Sequence, residues 1–92
     1  MPRDNELRSG FMNHDYVLTF DIASDDSRDK LASLCASDWQ GDQVNPTTWE
    51  ISNKLSPDAL EKTILDLLAD GDRAVYYYLS DSKRIFRVVL TG

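Results

Sequence analysis

Any chemistry in this chain has to come from carboxylates, hydroxyls and guanidinium groups, because its 92 residues include one cysteine, Cys35, and one histidine, His14. That count removes an intrachain disulfide, a zinc site built from Cys and His, and most cysteine–histidine nucleophile pairs. Among the carboxylates, Asp21 has the most informative position. The stretch from Asp15 to Asp29 reads DYVLTFDIASDDSRD, a short apolar strand that ends on a carboxylate and runs into an acidic turn and a helix. A carboxylate buried without a partner is costly, so Asp21 must meet water, a cation or a hydrogen-bond donor. In the simplest case it accepts backbone N–H bonds from the loop after it.

The elements that position Asp21 follow from periodicity. From Tyr16 to Ile22 the residues alternate, with Tyr16, Leu18, Phe20 and Ile22 on one face and Val17, Thr19 and Asp21 on the other. Ser24, Asp25 and Asp26 offer N-cap oxygens, and Asp29 adds negative charge near the start of a helix expected from about Ser27 to Ser37. Its apolar stripe is Leu31, Leu34 and Cys35 with Ala32, and Cys35 is expected in the core. Asp38 to Pro46 is rich in turn residues and allows only a short strand around Gln43 and Val44. Thr47 to Ser52 alternates again, with Trp49 and Ile51 on one face.

The second helix carries the clearest boundary signals. Ser56 is its N-cap, Pro57 its first residue, Leu60, Ile64, Leu67 and Leu68 its buried stripe, and Gly71 its expected left-handed C-cap. Arg73–Leu79 and Lys83–Leu90 read as two more strands joined by a turn at Ser80–Ser82. The expected order is strand, helix, weak strand, strand, helix, strand, strand. This is an α+β, ferredoxin-like split βαβ arrangement with both helices on one face of an antiparallel sheet and an extra C-terminal strand. Trp49 and Ile51 should then pack with Phe20, Leu60 and Ile64. The other face is left open, and Val17, Thr19, Asp21, Thr48, Glu50 and Ser52 are assigned to it together with Tyr76 and Tyr78. A partly apolar face with tyrosines suits contact with a second subunit, and a homodimer is expected.

Composition bounds the rest. Residues 1–13 are polar and without periodicity and read as a flexible extension, and 14–92 as one domain. The chain is 41% hydrophobic and 28% charged, as in ordinary soluble proteins, and its apolar runs are too short to span a membrane. The N-terminus lacks an apolar signal region, so a cytoplasmic location is the default. His14 is expected as an exposed flank. Sixteen acids against ten bases give a net charge of −6, which opposes unaided binding to a phosphate backbone. Lys83, Arg84 and Arg87, with Arg73, form the basic concentration, read as a charged strand edge.

The stretch YVLTFDIASDDSRDKLASL resembles the opening of the small CRISPR-associated adaptation subunit, whose first strand ends in an Asp followed by an acidic turn and an Arg. TTWEISNKLSPDALEKTILDLL resembles that family's third strand and second helix. Small proteins of the same fold include a type V antitoxin that cuts its toxin's messenger RNA, a virulence-associated ribonuclease family and proteins labelled SinR-like. The resemblance covers roughly Asp15 to Leu79. It implies a dimer in which the strand-ending Asp of each subunit helps hold a divalent metal for phosphodiester cleavage, and the matching residue is Asp21. A hard oxygen ligand suits Mg²⁺, which keeps several waters and takes few protein carboxylates. Arg28 matches the Arg after the acidic turn and would stabilise transition-state charge; its other reading is a surface residue at a helix start. The chain departs from the family in its acidity, its N-terminal extension and its Asn45-Pro46-Thr47 segment.

Two functions are therefore expected as alternatives. One is a metal-dependent nuclease that cleaves RNA or DNA through Asp21 and Arg28. The other is a noncatalytic dimeric regulator or assembly subunit that binds a protein partner through its acidic surface or its open sheet face.

Overall fold

The computed structural model describes residues 14–79 and 84–92. The readings of residues 1–13 as an extension and of Ser80–Ser82 as a turn, with Lys83 and the side chain of His14, lie outside the described residues. The fold is α+β: five antiparallel strands in the order β2-β3-β1-β4-β5, with two α-helices.

Strand β1 (His14–Asp21) is central because β3 (Thr48–Asn53) and β4 (Arg73–Leu79) both pair with it antiparallel. Residues directly opposite in a ladder share a face. Register therefore extends the alternation of β1 across the sheet: Leu18 is opposite Trp49 and Tyr76, and Tyr16 is opposite Ile51 and Tyr78. That face is covered. Tyr16, Leu18, Phe20, Trp49, Ile51, Ala74, Tyr76 and Leu90 form one buried core with Leu31, Cys35, Leu60 and Ile64 from the helical segments. The core expected around Trp49, Ile51, Phe20, Leu60 and Ile64 is observed.

Helix α1 (Asp25–Ser33) starts at Ser24, whose hydroxyl accepts from the Ser27 N–H, and passes into a π-helical turn at Leu34–Asp38. The sequence predicts an uninterrupted α-helix to Ser37, and the π-turn departs from it. Four residues advance slightly more than one turn in an α-helix and slightly less in a π-helix. The wider turn thus cancels the drift from Leu31 to Cys35, and Trp39 returns to the same buried stripe. Gly41 then runs close against β3: its N–H donates to the Cys35 carbonyl at 2.6 Å, and a Cβ there would lie 3.0 Å from the Glu50 carbonyl oxygen. Strand β2 (Asp42–Asn45) is short, exposed and bulged, features that blunt a sheet edge.

Helix α2 (Pro57–Leu67) begins as its sequence predicts, with Ser56 Oγ accepting from the Ala59 N–H and Pro57 in the first turn. Its end is different. Leu68 is already extended, and Gly71, expected as the C-cap, serves the next turn instead. The Asp72 N–H donates to the Ala69 carbonyl at 2.9 Å, closing a β-turn in which Gly71 takes φ +89°. That turn aims the chain into β4, and β5 (Ile85–Thr91) pairs beyond it. No helix among the described residues is long and apolar enough to cross a membrane.

Trp49 is 5% exposed, and its indole N–H has no partner among the described residues. Trp49→Ala should cost about 3–5 kcal/mol, as other large aromatic truncations in cores do. Trp49→Phe should cost distinctly less, because it keeps a ring and removes an unsatisfied buried donor. Urea melts of the two variants check both the burial and the missing hydrogen bond; equal losses would contradict the latter.

Candidate functional site

Two places hold the residues to which chemistry was assigned: the β1–α1 end of the sheet, with Asp21 and Arg28, and the uncovered sheet face.

Asp21 ends β1 opposite Arg73 of β4 and is exposed, beside a shallow hollow of about 160 Å³ shared with Thr19, Arg73 and Val75. It does not accept the loop N–H bonds that the simplest sequence reading gives it. Those bonds belong to Asp72. Its carboxylate takes the Ala23 N–H at 3.1 Å on one oxygen and the Ala69 N–H at 2.9 Å on the other, and its own carbonyl accepts the Gly92 N–H at 3.0 Å. The buried side chain thereby ties the β1–α1 loop to the α2–β4 turn, and the backbone of the same residue adds the end of the chain after β5. The alternation explains the exchange: Asp21 points to the uncovered face, whereas the loop bends toward the helices.

Arg28 is held by the turn it follows. Its guanidinium donates to the Ile22 carbonyl at 3.0 Å through Nη1 and pairs with Asp25 through Nη2. Both contacts close the chain between β1 and α1. The structure brings Asp21 and Arg28 to the same end of the fold, with Arg28 engaged in that turn. Among the described residues no three of His, Cys, Asp and Glu gather as ligands for a metal ion. Asp21 offers one carboxylate, and its neighbour across the ladder is a cation, Arg73, which opposes a second positive charge there. Cys35 is unsuited to chemistry: it is fully buried, and burial pushes its thiol up to about 12.

The uncovered face needs one correction. Tyr76 and Tyr78 are not on it, because register sets them opposite Leu18 and Tyr16 on the helix side. Tyr76 packs edge-on against Tyr16 at 5.7 Å between ring centroids, and Tyr78 stacks on Tyr16 at 5.4 Å. The Tyr76 hydroxyl donates to Glu61 of α2, and the Tyr16 hydroxyl to the Leu55 carbonyl. Burial raises both phenols well above their ordinary range, so they stay protonated donors. The tyrosine on the uncovered face is Tyr77, opposite Val17.

That face reads as a grid. Its middle row runs Asp42, Glu50, Val17, Tyr77, Arg87 across the five strands. One adjacent row is Thr48, Thr19, Val75 and Val89, in which the Thr48 hydroxyl donates to Thr19 Oγ1 at 3.2 Å. The row on the other side is Ser52, Asp15, Leu79 and Ile85, with Ser52 Oγ donating to Asp15 at 2.6 Å. Val17 and Tyr77 are each 40% exposed and Ile85 is 70% exposed. With Glu50 and Leu79 they line an apolar hollow of about 180 Å³. Acids thus occupy the β2–β3–β1 side, apolar residues the centre, and Arg87 the β5 side. Neither Asp72 nor Tyr77 is singled out by the sequence pattern. The turn residues Ala69–Asp72 signal the local bond to Ala69, but the bond from Ala23 crosses 49 residues of chain and has no local signature.

Compared with known protein families, characterised proteins and solved structures, the chain matches none of them.

The two N–H donors favour charged Asp72 and hold its carboxyl below the usual carboxylate range. This stabilisation is fully present above the unfolded-state value, about 3.9, and is lost as pH falls through the lower folded value. Asp72→Asn should therefore unfold at lower urea than the parent at pH 7, and the gap should close as pH falls below the ordinary carboxylate range. Urea midpoints across that range check this; a gap independent of pH would assign the effect to shape alone.

Proposed function

We propose that this chain is a noncatalytic interaction subunit of ferredoxin-like topology whose working surface is the uncovered face of its sheet. The strand order supports the topology: β2-β3-β1-β4 with a helix before β2 and another before β4 is a split βαβ pair, and β5 adds an edge strand. The observation that carries the function is the apolar belt of Val17, Tyr77, Leu79, Ile85 and Val89, exposed and contiguous across β1, β4 and β5. Apolar side chains grouped on one sheet face with an aromatic at the centre and charges at the margins have the anatomy of a protein-binding patch. The helices shield the other face over β3, β1 and β4, leaving Phe86 of β5 exposed there, and the belt contributes nothing to the monomer's own core.

A second reading, metal-dependent cleavage of RNA or DNA, rests on Asp21. Its carboxylate is exposed and accepts no hydrogen bond among the described residues, so it is accessible to a cation brought with a substrate or shared with another copy. On this reading Mg²⁺ or Mn²⁺ stimulates cleavage, chelator abolishes it, and Asp21→Asn removes it with the thermal melt unchanged. On the interaction reading, wild type and Asp21→Asn show equal background with every nucleic acid and ion tried.

Radical footprinting tests the interaction reading directly. In extract of the protein's own cells, Val17, Tyr77, Leu79 and Ile85 should be protected relative to purified protein diluted until light scattering shows a monomer. Val44 and Leu65, exposed elsewhere, should label equally in both. Equal labelling of the belt in both samples would overturn the proposal.

A further inference from the structure

We infer that the outer edge of β5 is a binding site in its own right, which takes an acidic extended segment of another protein as a sixth strand of the sheet. The contrast between the two sheet edges carries this. β2 is four residues long and bulged, a poor template for pairing. β5 keeps an unbroken register with β4 over seven residues, from Ile85 to Thr91. Every second residue of such a strand directs its N–H and C=O away from its neighbour. The Gly92 N–H points toward β4, where it donates to the Asp72 carbonyl. Counting back by alternation, the backbone groups of Ile85, Arg87, Val89 and Thr91 are the ones aimed outward.

The side chains of β5 point to the edge independently of the belt. Ile85 and Phe86 are 70% and 47% exposed although they lie on opposite faces, Ile85 on the belt side and Phe86, opposite Tyr78, on the helix side. A partner on the uncovered sheet face would cover Ile85 alone, whereas a strand beside β5 flanks both. Charge then selects the occupant. From Arg84 to Gly92 the chain carries two arginines and no acidic side chain, against a net charge of −6 for the whole. Arg87 stands in the middle of the edge, exposed and without an ion pair among the described residues. A second β5 laid along the first would add cations to cations, and a charge placed mid-edge is a common device against self-pairing. An acidic strand is complementary, so the same arginine rejects one occupant and attracts the other. Main-chain bonds give such strand addition its affinity and alternate side chains its selectivity. The expected segment has an acid opposite Arg87, with apolar residues beside Phe86 and Val88 on the helix side and beside Ile85 and Val89 on the belt side.

Amide hydrogen exchange followed by nuclear magnetic resonance tests the site. The probe is the blocked peptide Asp-Thr-Val-Val-Glu-Val-Val-Asp, whose Glu falls opposite Arg87 in an antiparallel register, and the control carries Lys at each acidic position. The acidic peptide should slow exchange at the outward amides of Arg87 and Val89 and leave the amides of β2 unchanged. The Lys peptide should bind roughly tenfold or more weakly. Arg87→Glu should reverse that order of preference, with its thermal melt close to the parent's. No slowing at Arg87 and Val89 with the acidic peptide at about 1 mM, or slowing indifferent to the sign of the peptide's charge, would overturn the inference. Slowing of the same amides in concentrated protein without peptide, with light scattering showing a dimer, would overturn it by giving the edge to a second copy.

Discussion

Everything in this fold depends on the period of two in β1. The strand has a hydrogen-bonded neighbour on both sides, so it cannot rotate about its axis, and each of its side chains is committed to one face or the other. Tyr16, Leu18 and Phe20 fill the side covered by the helices. Val17, Thr19 and Asp21 are consequently left on the uncovered side. A slip of one residue would exchange the two sets, burying a carboxylate and exposing the centre of the core, which is why the register is strongly specified. The same register, passed through β4 and β5, assembles the apolar belt opposite the core.

Rigidity at the Asp21 end comes from a different source. Strand pairing alone does not join the loop after β1 to the turn before β4; Asp72 does, by accepting one N–H from each. Arg28 closes the same loop from its other side through Ile22 and Asp25. Of the two residues that resemble a catalytic arrangement in sequence, Arg28 is engaged in shaping a turn. Asp21 stays outside this network and presents its charge on the uncovered face.

The legibility of the sequence follows the range of the interactions involved. Local patterns were readable: the alternation of β1 and β3 and the Ser56-Pro57 helix start depend on neighbours within a few residues, and the core around Trp49 follows once those apolar faces meet the helix stripe. The faces of Tyr76 and Tyr78 were not, because β4 is nearly uniform in apolar and aromatic character and its phase is set only by pairing with β1. Gly71 marked a left-handed residue correctly, but a turn after a helix and the helix cap itself share that signal. Trp39 reaches the core only through a π-turn, which no periodicity of an ordinary helix anticipates. Asp21 was conspicuous as a strand-ending carboxylate, whereas the buried one, Asp72, depends on a contact far along the chain and had no pattern to announce it.

The central claim is that the register of β1 divides the sheet, one face building the monomer's core and the other carrying an apolar belt that the monomer does not need. Equilibrium urea unfolding of two neighbouring variants of β1 addresses it most directly. The account predicts that Leu18→Ala costs about 2–5 kcal/mol, whereas Val17→Thr, which keeps the β-branch and removes apolar surface from the uncovered face, stays within about 0.5 kcal/mol of the parent. Equal losses at the two positions would contradict it.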